Sequence, residues 1–282
     1  MEELPRAGRV SVDRLLADER RAFLAVLSEL SPDDWNSATE CPAWTVKGIA
    51  LHVLGDDLSL LSRQRDETPS PVAIAAQAQG WDQLFELLDR FNEAWVGAAS
   101  FVSVPLLLEL LHLSGEWTRS WYGSVDPDRL GEPVPWAGFE SAPFWFLAAR
   151  EYLERWIHQQ QIRRAVAAPP LDDAAWTVPA VSIAARGITA GLRMLPADDR
   201  TTITLAAGPA AWTARKEGEV WHLYDAASTI PNADLALSTQ DAALLFSRGM
   251  PAIEVARHVV VRGDADLGSA VVAGLAAFFG TG

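Results

Sequence analysis

Arg150-Glu151-Tyr152-Leu153-Glu154-Arg155-Trp156-Ile157-His158-Gln159-Gln160-Gln161 is the stretch around which the rest of the chain can be arranged. It reads as the middle of a helix. Four residues along a helix return to the same face, so the carboxylate of Glu154 and the imidazole of His158 point the same way. They make half of a metal site; the bland counterpart is an exposed side-chain pair, common on helix surfaces. A further ligand has to come from another helix. His52 is the best placed, because it follows Cys41-Pro42-Ala43-Trp44-Thr45-Val46-Lys47 at the start of an apolar-periodic segment. Two His and one Glu would form a three-ligand zinc site with an open fourth position, the pattern of a catalytic zinc.

Working outward, the segments on the amino-terminal side carry helical periodicity. Val12, Leu15, Leu16, Phe23, Val26, Leu27 and Leu30 recur at three and four, which predicts an amphipathic helix over 11–30 with Ser11 as its N-cap. Ser31-Pro32-Asp33-Asp34 ends it. Thr45 caps a second helix over 46–63, with Ile49, Val53, Leu54, Leu58 and Leu61 inward. A third runs from Val72 or Gln79 to Ala99 after the breaker Thr68-Pro69-Ser70-Pro71, and a fourth spans 104–122. The Gly- and Pro-rich residues 123–143 form a loop long enough to wall a pocket, with Trp136 in it. Long helices with polar faces outward and the site helix over 144–166 have the sequence appearance of a four-helix bundle.

Beyond the linker Ala167-Ala168-Pro169-Pro170-Leu171-Asp172-Asp173 the texture changes. A helix over 177–195 precedes strands at 201–205 and 219–224, separated by a turn around Lys216-Glu217-Gly218. Ala233 to Leu237 adds a strand, Ser238 caps a helix to Phe246, residues 255–262 are a β-branched run, and 267–279 close as an apolar helix. Mixed elements without βαβ alternation predict a small α+β domain. The division is 1–168 and 172–282.

The chain has 282 residues, 49% hydrophobic and 21% charged, the balance of a packed globular protein. Its net charge of -14 argues against a nucleic-acid backbone or an anionic membrane as partner. No apolar run reaches the roughly 20 residues that cross a bilayer, and no basic-then-apolar leader opens the chain. A single cysteine, Cys41, rules out an internal disulfide; these features together point to the cytoplasm. Cys41 reads as a small residue in a Cys-Pro turn, and Asp56, one turn after His52, as a partner for a ligand or an exposed carboxylate. Glu109, His112 and Glu116 form a rival carboxylate-imidazole face, although one short helix segment cannot surround an ion well. His222 and His258 read as ordinary surface or half-buried positions.

Ser31-Pro32-x-x-Trp35, the Cys-Pro-x-Trp-Thr-Val segment with His52 behind it, and the distant Glu154-x-x-x-His158 resemble the mycothiol-dependent maleylpyruvate isomerase family. The resemblance implies a DinB-like metal-binding four-helix bundle followed by a small α+β sterol-carrier-like domain, the latter matched by Val259-Val260-Val261-Arg262-Gly263-Asp264 entering a final helix. It also implies His52, Glu154 and His158 as ligands of zinc or another divalent metal, and mycothiol as thiol cofactor. A basic residue from the second domain is implied at the site, with Arg248, Arg257 and Arg262 as candidates. Two positions depart from the family pattern: Ala43 stands where Gly is usual, and Gln161 where an Asp commonly follows the last His. The activity implied is cis-trans isomerisation by thiolate addition, rotation and elimination. The alternatives are a thiol S-transferase acting on electrophiles and a non-catalytic module binding metal-thiol or apolar ligands. Either way the partners are a small thiol and a small anionic or electrophilic molecule.

Overall fold

The computed structural model describes residues 3–68 and 81–280. Among these the chain divides into two compact units, Val12–Pro133 with Pro143–Pro170, and Met1–Ser11, Val134–Ala142 with Leu171–Gly282. Two short segments of the expected first domain therefore group with the second. No helix among the described residues is long and apolar enough to cross a membrane.

The first unit is helical: α1 (Asp13–Ser28), α2 (Val46–Leu60), α3 (Trp81–Ala99), α4 (Val104–Ser124) and α5 (Phe144–Ala165). Helix α1 packs on α4 and α5, and α2 packs on α3, α4 and α5. Their apolar stripes meet in a core that includes Phe23, Leu27, Ile49, Leu54, Leu107 and Leu111. The expected cap of α1 is corrected: the N-cap position is Val12, with no side-chain capping bond, because Val12 is itself buried at 2% exposure. Burial of an isopropyl group outweighs the capping bond that Ser11 would have made one residue earlier. The expected starts of the third helix at Val72 or Gln79 lie outside the described residues.

Thr45 caps α2 as its sequence predicts, its hydroxyl accepting from the Gly48 amide at 3.3 Å. Thr45→Ala is expected to lower stability by about 1 kcal/mol, read as a drop in thermal midpoint with unchanged helix content below it. Helix α2 runs on into one π-helical turn, Leu61–Arg65. That turn brings Arg63 and Gln64 onto Glu132, which accepts from the Gln64 amide at 3.1 Å and pairs with the Arg63 guanidinium.

Helix α5 departs from the expectation of an outward polar face. Glu151, Arg155, His158, Gln159, Gln160 and Gln161 are all buried, alongside Tyr152 and Trp156. Such polar groups survive burial only by pairing. Arg155 and Arg20 of α1 both grip Asp57 of α2, the latter at 2.8 Å, and the Ser114 hydroxyl donates to the same carboxylate at 2.6 Å. Burial alone would raise the Asp57 carboxyl, but Arg155 and Arg20 hold it below its usual range. Glu19 is likewise buried; burial raises its pKa, and the Gln159 amide donates to it at 2.7 Å. Gly115 on α4 leaves the space Arg20 needs, since a Cβ there would lie 2.9 Å from its Cγ.

The second unit is a five-stranded mixed sheet with helices. Its strands are β1 (Thr202–Ala207), β2 (Ala210–Glu217), β3 (Val220–Tyr224), β4 (Ala233–Leu237) and β5 (Val260–Gly263), in the order β3-β2-β1-β4-β5. Only β1 and β4 pair in parallel; the other neighbours are antiparallel. The expected turn between two strands hid β2. Its Ala210-Ala211 start and Arg215-Lys216-Glu217 end lack apolar alternation, yet Arg215 and Lys216 are buried by stacking over Tyr224 and Trp221.

The expected helix over 177–195 is broken into α6 (Ala174–Ala184) and α7 (Arg186–Gly191), where two glycines and a threonine weaken helix propensity. After α8 (Thr239–Phe246), capped by Ser238, the β-branched run divides into the helical turn α9 (Val255–His258) and β5. Helix α10 (Ala265–Phe279) closes the unit. An apolar cavity lined by Ile188, Leu205, Trp212, Val271 and Leu275 measures about 10 Å³. That is room for about one water molecule, far below the several hundred Å³ of a typical ligand pocket.

Candidate functional site

His52 from α2 and His158 from α5 meet inside the helical unit, their ring centroids 4.6 Å apart and nearly perpendicular at 82°. Both side chains are almost fully buried, 7% and 9% exposed. Glu154, one turn before His158, keeps 44% of its side chain open and has its carboxylate oxygen 3.9 Å from His158 Nε2. His52 and His158 thus lie side by side, with Glu154 one turn from His158. Among the described residues no three His, Cys, Asp or Glu side chains converge, as placed, tightly enough to enclose a metal ion.

The surroundings hold the rings in defined states. Burial pushes the His52 imidazole down to about 4, so it is neutral at physiological pH with a lone pair to offer. Its Nε2 lies 3.2 Å from Asp56 Oδ2. The half-buried Asp56 carboxyl is pushed up to about 8, first by burial and then by the charges of Glu151 and Asp57. The open third of its side-chain surface moderates that rise, and the direction is what the site depends on. His158 Nδ1 lies 2.9 Å from the Gln161 amide oxygen, an atom that can only accept.

One loop supplies the wall. Thr39 Oγ1 donates to the Trp44 carbonyl at 2.8 Å and accepts from the Cys41 amide at 3.1 Å, setting the turn that carries both residues inward. Trp44 stacks on His52 with centroids 4.6 Å apart and planes 27° apart. The Cys41 thiol reaches the Gln161 amide oxygen at 3.4 Å. The sequence pattern pointed to Cys41 as a turn residue; its contact with the site was invisible, because nothing local links residue 41 to residue 161.

The other candidates are on other elements. Arg248, Arg257 and Arg262 are exposed in the second unit, Arg257 paired with Glu254 and Arg262 3.7 Å from Asp234. Glu109, His112 and Glu116 are a solvated stripe on α4, with Glu116 bonded to Arg119 at 2.9 Å. His222 is half-buried near Glu217, and His258 contacts Asp241 at 2.7 Å. Half-buried Trp136 falls in the segment that groups with the second unit.

A pH test follows from the His52 environment. Its folded pKa is depressed below the unfolded value of 6.5, so the unfolded chain takes up the proton first as pH falls. The stability that neutral His52 contributes is full above about 6.5 and is lost toward about 4. In the metal-free protein the urea midpoint of wild type is expected to fall across that window more steeply than that of His52→Gln. Parallel pH profiles would contradict the assignment.

Two buried imidazoles from α2 and α5 meet, with Asp56 beside one and Glu154 beside the other, a set of side chains suited to ligand chemistry. The fold around it is shared with crystal structures of the mycothiol-dependent maleylpyruvate isomerase and of its H52A mutant, each at a TM-score of 0.53 and 13% identity over 90% of this chain and 92% of that one. The mycothiol maleylpyruvate isomerase N-terminal domain matches residues 16–163, more than half of the chain. No curated protein matches it by sequence. The chain belongs to the mycothiol maleylpyruvate isomerase family, a family of thiol-dependent enzymes.

Proposed function

We propose that this chain is a metal- and mycothiol-dependent enzyme that isomerises a maleylpyruvate-like cis double bond, with His52, Glu154 and His158 holding zinc or another divalent cation. The observation that carries the reading is the meeting of the His52 and His158 rings at 4.6 Å beside Glu154. The donor set fits such a cation: a His52 imidazole kept neutral by burial, a His158 ring whose Nδ1 faces the Gln161 amide oxygen, and a carboxylate to supply negative charge. When bound, the cation would favour the thiolate of mycothiol over the free thiol, whose pKa is near ~8.5, and would so supply the nucleophile that cis-trans isomerisation by addition, rotation and elimination calls for.

This chain's own residues do the rest. The stacked Trp44 and the buried helix faces keep water from the imidazoles, and the open side of Glu154 leaves the approach. The substrate's carboxylates call for a cation, and Arg248, Arg257 and Arg262 remain the candidates; the one that serves is expected to raise KM when changed to alanine. The helical unit is read as a DinB-like four-helix bundle and the second unit as sterol-carrier-like, in a cytoplasmic protein.

The test is metal analysis of the purified protein together with assay of maleylpyruvate with and without mycothiol. Stoichiometric metal and mycothiol-dependent turnover are expected. Conjugation of model electrophiles without isomerisation would reassign the chain as a thiol S-transferase. Metal with neither activity would leave a binding module.

A further inference from the structure

Gln161 is 2% exposed and its amide oxygen faces two groups from different parts of the chain, His158 Nδ1 at 2.9 Å and Cys41 Sγ at 3.4 Å. An amide oxygen only accepts, and it has two lone pairs. The ring N–H and the thiol each take one. We propose that Gln161, steadied by Cys41, is the positioning residue that keeps His158 in its Nδ1–H tautomer and leaves the Nε2 lone pair on the side of Glu154. This inference rests on the metal reading for its purpose but not for its geometry.

The chemistry distinguishes the two tautomers sharply. With the proton on Nε2 the ring would present a donor toward Glu154, and a cation could not bind there until that proton had moved to Nδ1. With the proton on Nδ1 the ring is ready. The partner of a ligating imidazole fixes its orientation and tautomer, and losing such a partner costs about 10–100-fold in metal affinity.

Cys41 adds a constraint from outside the helix. Gln161 and His158 are three residues apart on α5, so their contact alone leaves the amide free to rotate its NH₂ toward the ring. The thiol, carried in by the Thr39-anchored turn, favours the oxygen-inward orientation. The same turn places Trp44 on His52, so one short loop orders both imidazoles.

Nitrogen-15 NMR of the metal-free protein tests this directly, with the His158 ring identified by its disappearance in His158→Gln. Wild type is expected to show Nδ1 as the protonated, pyrrole-like nitrogen and Nε2 as the pyridine-like one; the reverse pattern overturns the proposal without any variant. Gln161→Met, close in volume but without an acceptor, is expected to shift the ring toward the Nε2–H form and to weaken zinc binding about 10–100-fold in a chelator competition. Gln161→Glu, which restores an acceptor, is expected to recover the Nδ1–H form. Cys41→Val should fall between wild type and Gln161→Met. An unchanged tautomer in Gln161→Met overturns the positioning role. A tautomer change as expected in a protein that binds no zinc leaves the positioning role standing and removes the metal reading instead.

Discussion

Alanine at either His52 or His158 is expected to strip the bound metal and reduce mycothiol-dependent turnover by at least about 100-fold, while helix content stays close to wild type. The size follows from comparison. Losing an outer partner of a ligand already costs up to about 100-fold, and losing the ligand removes a metal bond outright. The fold should tolerate the change because the two rings contact each other and Trp44 at the edge of a core built chiefly by Phe23, Leu27, Ile49, Leu54 and Leu107. Metal content by elemental analysis, far-UV circular dichroism and turnover on the same preparations form the check. A double variant that still carries stoichiometric metal would refute the ligand assignment.

Asp57→Asn is expected to destabilise the helical unit by about 3–5 kcal/mol, because the change leaves Arg20 and Arg155 buried without their counter-charge. Asp57 is fully buried, and Arg20 and Arg155 are 7% and 6% exposed, so water cannot replace the lost carboxylate. The contrast is the surface pair Arg119 and Glu116, both about half exposed, whose removal should scarcely move the transition. Urea unfolding followed by helix signal measures both. Equal, small shifts would mean that the buried network is relaxed by water or by movement of α1. The network adjoins the site along α2, since Asp57 follows Asp56, the acid beside His52.

The parts that the sequence disclosed are those with local signals. Thr45 precedes a run of apolar residues at helical spacing, and it caps α2; Glu154 and His158 are a turn apart, and their side chains approach to 3.9 Å. The role of His52 became legible only beside a resemblance, because nothing near residue 52 says that α2 crosses α5 at that height. What stayed hidden depends on partners far along the chain. Residues 150–161 look like a helix with a solvated side, and only Asp57, Glu19 and Cys41, brought in by packing, explain why Arg155, Gln159 and Gln161 are inside. Strand β2 was hidden for the same reason: Arg215 and Lys216 read as turn or surface until the rings of Tyr224 and Trp221 cover them. Ser11 was a good capping residue in the wrong register, displaced by the burial of Val12.

X-ray absorption at the zinc edge, on protein loaded with one equivalent of zinc before and after addition of mycothiol, tests the central claim most directly. The account predicts imidazole and carboxylate scattering at about 2.0–2.2 Å in both samples, with one sulfur at about 2.3 Å appearing only when the thiol is present. A zinc shell without imidazole, or one that gains no sulfur from the thiol, would contradict it.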